Sequence, residues 1–138
     1  MQRKTIIYSM AGVMLFAIAV ALIWYVTPKT FLKGISADEV SSIDIFDGST
    51  GKSMTVDNPD DIKTVVENIQ SVKMKRGKLS VGYDGYSFSL TFKDKDGEVM
   101  DSFIINSADI IRDDPFFYKC ENGTLCYDFL NAIVQVQD

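Results

Sequence analysis

Two cysteines are the residues of this chain whose type and spacing most directly suggest chemistry. Cys120 and Cys126 flank a Glu-Asn-Gly-Thr-Leu stretch that is typical of a turn. In an oxidising compartment such a pair is expected to form a disulfide that closes a small loop before the last helix. A redox or metal pair is the alternative, but the spacing is not C-x-x-C, and the sequence has no histidine or third cysteine to complete a zinc site. We therefore predict a structural disulfide.

Two other segments resemble ligand-binding loops only in part. Residues 48–53 contain Gly-Lys-Ser, but Phe46 stands where a phosphate-binding loop needs its first glycine, and a strand rather than a helix is expected to follow. Residues 94–98 begin like a calcium loop, yet Ile105 stands where the last ligand, a glutamate, belongs. Both segments are predicted to be hairpin turns, and neither a metal nor a cofactor is predicted.

The sequence offers no pair of residues for catalysis. The absence of histidine removes the commonest general base. Carboxylates such as Asp84, Asp113, Asp114 and Glu121 remain, but their spacing gives no reason to pair any two of them. We assign no catalytic residue and predict that the chain is not an enzyme.

Four basic residues form a cluster in an otherwise acidic domain. This basic segment consists of Lys73, Lys75, Arg76 and Lys78. One hypothesis is that it contacts an anionic surface, such as lipid headgroups or an acidic polymer. The alternative is a charged edge strand, in which lysines discourage pairing with other chains.

A run of aromatic residues follows Pro115. Because neighbouring side chains of a strand point to opposite faces, Phe116 and Phe117 are expected to lie on different sides of a sheet. One of them, beside Tyr83 or Tyr86, would then offer a contact surface for a partner. The alternative is that the terminal helix covers this second face.

The chain begins with an apolar segment that is long enough to cross a membrane. Residues 6–26 carry no charge and end in Trp24 and Tyr25, which suit a lipid interface. A cleaved signal peptide would have a shorter core and small residues before the cleavage point. We predict a transmembrane signal anchor at 6–26, a cytoplasmic stub at 1–5, a juxtamembrane linker at 27–37 and an extracytoplasmic domain at 38–138. This is a single pass through the cell membrane, with the N-terminus inside and the domain outside.

The part of the chain that follows is acidic and of single-domain size. Residues 34–138 hold all 19 acidic residues and 10 of the 14 basic ones, so their net charge is 10 − 19 = −9. This charge repels phosphates and argues against nucleic acid as a partner.

Apolar periodicity predicts strands and helices in a mixed order. Period-two patterns predict strands near 40–46, 53–56, 86–92, 98–106 and 116–118, with a short strand at 72–76. A helix is predicted after Asp57 or Asn58, with its buried stripe at Ile62, Val65, Val66 and Ile69; a closing helix is predicted with Leu125, Phe129, Ile133 and Val136 on its apolar face. The fold class is therefore α+β: a transmembrane helix followed by an antiparallel sheet packed with two helices.

Residues 77–92, 104–107 and 110–118, read together, resemble small uncharacterised extracytoplasmic domains of Gram-positive bacteria. These domains occur as membrane-anchored or lipid-anchored units and beside signalling peptidases of the antibiotic-sensor type. The resemblance implies location and fold, and it brings no activity with it. Two functions stay open: a membrane-anchored binding or sensing module for an unknown ligand, or an accessory subunit of a larger membrane protein such as a transporter or signalling peptidase.

Overall fold

In the computed structural model, which describes residues 2–85 and 87–136, a long helix leads into an α+β domain. Helix α1, Gln2–Val26, has 25 residues and contains an 18-residue stretch with a mean hydropathy of 2.5, so it is long and apolar enough to span a membrane. None of its residues is buried. The domain consists of β1 (Ser42–Asp47), β2 (Lys52–Val56), α2 (Pro59–Ser71), β3 (Met74–Leu79), β4 (Phe88–Lys93), β5 (Val99–Ser107), β6 (Ile110–Asp113), β7 (Phe116–Cys120) and α3 (Tyr127–Val136).

The strands form one antiparallel sheet of 7 strands in the order β2-β1-β4-β5-β6-β7-β3. Alternation puts Ile43, Leu90 and Ile105 on one face, which joins the helices in a single apolar core. We call this the core face. The opposite, outer face carries hydroxyl and charged side chains between β2 and β5, as the strict alternation of β4 predicts.

Helix α2 agrees with its prediction. The Asn58 side chain accepts hydrogen bonds from the amides of Asp60 and Asp61, and Pro59 occupies the first turn. A proline is tolerated there because its missing N–H would have had no partner within the helix. Its four predicted apolar residues are all buried, at 62, 65, 66 and 69.

Helix α3 forms, but its core-facing stripe differs from the prediction. The buried residues within it are Leu130 and Val134, whereas Val136 is exposed. Leu125 is buried just before the helix begins. Phe129 and Ile133, which were predicted, are partly buried against the core, so the most buried line, at 126, 130 and 134, lies one position along the helix from the predicted face.

The segment between α1 and β1 packs into the domain. Phe31 and Leu32 are both buried in the core, and the Phe31 ring lies 4.9 Å from that of Phe103. The amide of Gln70 on α2 donates to the carbonyls of Leu32 and Ile35 at 2.8 and 2.6 Å. Lys29 pairs with Met74 as an antiparallel bridge on the outer edge of β3. Residues 29–35 thus tie the helix to the sheet.

Candidate functional site

The predicted disulfide between Cys120 and Cys126 is wrong, because both are free cysteines. Cys120 ends β7, and its sulfur lies 3.6 Å from that of Met74. Cys126 is buried at the start of α3, where its carbonyl accepts the amide of Leu130. Each thiol is held by different packing partners, so closeness in sequence does not bring the two sulfurs together.

The thiols are expected to resist alkylation in the folded protein. Burial raises the pKa of the Cys126 thiol to about 11 and also raises the pKa of Cys120. Because the thiolate is the reactive form, about one Cys126 in 1,000 is ionised at pH 8. We expect mass spectrometry to find little maleimide on native protein and two additions after denaturation. A single disulfide-linked species without free thiols would contradict this.

The basic segment divides into two groups. Lys73, Lys75 and Lys78 are exposed, whereas Arg76 is only 8% exposed and belongs to the core face. This follows from strand alternation, since Arg76 pairs with Tyr118 and its neighbour Lys75 pairs with Lys119. Contact of the three lysines with an anionic surface stays a prediction. Arg76 instead contacts Trp24 within the chain.

Arg76 holds the end of α1. Its guanidinium lies 3.7 Å from the centre of the Trp24 ring, and Nη1 donates to the carbonyls of Trp24 and Tyr25 at 2.5 and 3.2 Å. These carbonyls belong to the last turn of the helix, where no intrahelical donor is available. Phe116 completes the cluster, with its ring 6.2 Å from that of Trp24. We call Arg76, Trp24, Tyr25 and Phe116 the helix clamp.

The segment that joins β3 to β4 crosses the outer face of the sheet. This crossing loop is described at residues 80–85 and at Ser87; Tyr86, a predicted partner-contact residue, lies outside the described residues. The Tyr83 ring packs edge-to-face on Phe117 of β7 at 5.1 Å, and its carbonyl accepts from Arg112 of β6 at 2.5 Å. Ser87 then donates to the carbonyl of Asn106 on β5.

The start of the crossing loop is fixed by a small polar network. The Ser80 hydroxyl donates to Asp114 at 2.5 Å, and its amide donates to the carbonyl of Pro115 at 2.8 Å. Arg112 donates to the same carboxylate at 2.9 Å, and this bond, followed by that of Ser80, lowers the pKa of Asp114 from its ordinary value. Asp114 is therefore held in its charged form, and the loop has a defined path.

A pocket of about 330 Å³ lies where the crossing loop meets β3, β5 and β7. Its lining is mainly apolar and includes Gly77, Lys78, Tyr83, Asn106, Phe117 and Lys119. Oδ1 of Asn106 is buried and has no hydrogen-bond partner among the described residues. Lys78 Nζ lies 4.9 Å from the Tyr83 ring centre. The pocket thus combines aromatic walls, an unsatisfied acceptor and two lysine side chains, of which Lys119 has its ammonium 3.9 Å from the Asp109 carboxylate.

Of the residues predicted from sequence to contact a surface or partner, the structure brings Lys78, Tyr83 and Phe117 together in this pocket. Phe116 lies on the other side of β7, in the helix clamp, as consecutive strand positions require. The crossing loop, and not the terminal helix, covers Phe117. No sequence pattern marks Asn106 or Lys119 as a site residue. The pairing of the strands brings both into the pocket lining.

The two loop-like segments are hairpin turns, as predicted. Asp47 accepts hydrogen bonds from the Ser49 amide and the Thr50 hydroxyl, and Gly51 has a φ of 74°. Asp94 accepts from the amides of Asp96 and Glu98, both at 2.9 Å. Each of these two carboxylates therefore accepts hydrogen bonds from groups of the turn in which it lies. In the described part of the chain, no group of three or more potential metal ligands comes together.

Comparisons with known proteins give no family or relative from which a function could be inferred. No protein-family model matches the chain, and no match is found among curated proteins or solved structures. The resemblance to extracytoplasmic domains of Gram-positive bacteria accordingly stays a prediction.

Proposed function

We propose that this chain is a membrane-anchored extracytoplasmic binding or sensing module, and that the pocket under the crossing loop is its ligand site. The observation that carries the proposal is the buried, unpartnered Oδ1 of Asn106 in an apolar pocket. A buried acceptor without a partner costs free energy, so a donor from a ligand or from an ordered water is expected to satisfy it. Largely apolar pockets with a few convergent polar groups are the usual form of small-molecule sites.

The lining indicates the chemical class of the ligand. Tyr83 and Phe117 suit an aromatic or acyl body, and the Asn106 acceptor requires a hydrogen-bond donor on the ligand. Lys78 and Lys119 favour a carboxylate or phosphate. An acylated amino acid or a short peptide with a free carboxylate has all three features.

Strand β3 connects the pocket to the membrane helix. Gly77 and Lys78 line the pocket, and the preceding residue, Arg76, holds the end of α1. A Cβ at position 77 would lie 3.2 Å from the carbonyl oxygen of Phe117, so the two strands approach closely there. A ligand that shifts β3 would act directly on the helix clamp, which is the arrangement a sensor requires.

Membrane anchoring is supported by the apolar stretch of α1. Arg3 and Lys4 lie before the uncharged residues 6–26 and Lys29 and Lys33 follow them, so the basic residues give little preference for either direction, and the position of the domain outside is part of the proposal. The free cysteines give no support for an oxidising compartment, so export depends on the N-terminal segment alone.

Ligand binding can be tested with N-acetyl-4-fluorophenylalanine as the probe and the full chain in lipid nanodiscs. We expect the ¹⁹F signal of the probe to broaden with the wild-type chain and to stay narrow with empty nanodiscs. Reversing both lysines, Lys78→Glu with Lys119→Glu, is expected to weaken binding about tenfold or more, because a hydrogen bond to a charged group contributes roughly 1.5–3 kcal/mol. Asn106→Leu removes the acceptor and is also expected to weaken binding.

The matched control is Lys95→Glu, since Lys95 is an exposed lysine in the β4–β5 turn. It changes the net charge in the same direction and should leave binding unchanged. Equal broadening with wild type and the double reversal would contradict the proposed site. If purification of the full chain in mild detergent instead yields a stoichiometric membrane protein, the accessory-subunit function is favoured.

A further inference from the structure

A short stretch at the end of β3 exposes apolar side chains. Leu79 is 60% exposed, Val81 is 75% exposed and Tyr83 is 51% exposed. Outside α1, the only other large apolar side chains this exposed in the described residues are Val99 and Val136. The three therefore form a concentrated patch, and such a patch beside a membrane helix is typical of a lipid contact.

The strand register places this patch level with the end of the membrane helix. The chain from α1 to Lys29 runs antiparallel to β3, beginning at the Lys29–Met74 bridge. Tyr25 Oη lies 3.3 Å from the carbonyl of Gly77, so the last turn of α1 is beside Gly77. Leu79 and Val81 follow in the direction in which the helix leaves the domain.

Basic side chains lie on the strand that leads into the patch. Lys78 precedes the patch, and Lys75 is exposed on the same edge strand. Two of the nearby carboxylates are paired within the protein, Asp113 with Lys29 at 2.5 Å and Asp114 with Arg112 at 2.9 Å, whereas Asp84, which follows Tyr83, is exposed. Ammonium groups that flank exposed apolar residues suit the anionic headgroup layer.

We propose that residues 79–83 insert into the headgroup layer of the bilayer that α1 crosses. The domain would then contact the membrane at two places, α1 and this patch, and the patch would add to the orientation that the helix clamp already gives the domain. The inference depends on the membrane anchoring proposed above. It adds a second membrane contact, and it places the β3 wall of the ligand pocket next to the lipid surface.

The depth of residue 81 can be measured by spin labelling of the full chain in phosphatidylcholine–phosphatidylglycerol liposomes. Val81→Cys is labelled with a nitroxide while the native cysteines, the buried Cys126 and the partly buried Cys120, are kept, and the unsubstituted chain serves as the labelling blank. Collision rates are compared for oxygen, which concentrates in lipid, and for a water-soluble nickel chelate. We expect the oxygen-to-nickel ratio at Val81→Cys to be several-fold higher than at Ser49→Cys.

Ser49 is the matched position because it is exposed and lies in the β1–β2 turn. The register places this turn at the other end of the strands from Leu79. Leu79→Asp should lower the ratio at Val81→Cys, whereas Val136→Asp, at an exposed site on α3, should not. All four substituted side chains are exposed, so folding is expected to survive each change.

Equal ratios at Val81→Cys and Ser49→Cys would overturn the second contact. Quenching of Trp24, which is the one tryptophan of the chain, by brominated lipid reports the anchor independently. Quenched Trp24 with an aqueous Val81→Cys label would reject this inference and leave the anchor intact. Unquenched Trp24 would reject the anchoring itself.

Discussion

Replacing Phe31 by alanine is expected to lower the free energy of unfolding by about 3–5 kcal/mol, the usual cost of removing a buried aromatic ring. The Phe31 ring packs against Phe103 at 4.9 Å and against Tyr118 at 5.2 Å, on two different strands. The Lys29 ammonium lies 4.3 Å from its centre. Alanine would leave a cavity between the sheet and the segment that leads to the membrane helix.

Denaturant unfolding of the full chain in detergent, followed by circular dichroism of the domain, measures this change. Lys33→Ala is the matched control, because Lys33 is exposed two residues further on. A surface change of this kind is expected to stay within about 0.5 kcal/mol. If the two variants unfold alike, residues 27–37 act as a free tether and the core contact of Phe31 contributes nothing to stability.

Local patterns were sufficient to predict most of the fold. Strict alternation in β4 and the cap at Asn58 before Pro59 depend only on near neighbours in sequence. The turn at residues 48–51 likewise carries its own hydrogen-bond acceptor in Asp47. Such signals act over a few residues, so they are visible without knowledge of the rest of the molecule.

The features that were missed depend on distant partners. Strand β6, Ile110–Asp113, has four residues and a single buried side chain, which is too short to show a period. Phe31 and Leu32 stand alone between polar residues, and the partners of Phe31 are Phe103 and Tyr118, far along the chain. The disulfide prediction was wrong for the same reason. Cys120 pairs with Met74 on the neighbouring strand, so its sulfur lies beside that of Met74.

The site was predicted only as separate residues. Lys78, Tyr83 and Phe117 stood out by charge or aromatic character, and the crossing loop brings them together. Asn106 could not be recognised, because an amide attracts notice only when the folded chain leaves it buried without a partner. Arg76 and Lys78 looked equivalent in sequence. In the structure Arg76 binds the end of α1, whereas Lys78 lines the pocket.

The largest effect expected from a charged residue is that of Arg76→Ala, which should lower the free energy of unfolding by about 2–4 kcal/mol. The guanidinium stacks on Trp24 and donates to two carbonyls at the end of α1. A cation at this end also interacts favourably with the helix dipole. Alanine would remove the stacking contact, expose Trp24 and leave both carbonyls without their donor.

Comparison with two further variants separates these contributions. Arg76→Lys keeps the charge, but an ammonium group lacks the planar guanidinium that binds two carbonyls and stacks on a ring. Its loss of unfolding free energy is therefore expected to lie between those of the wild-type chain and Arg76→Ala. Lys75→Ala, one residue away and exposed, should have almost no effect. In a double-mutant cycle, Trp24→Leu should cost less in the Arg76→Ala background than in the wild-type chain, because the two side chains share one contact. Additive losses would show that the stacking contact between Arg76 and Trp24 does not stabilise the fold, and would leave the two backbone carbonyls as the only hold of Arg76 on α1.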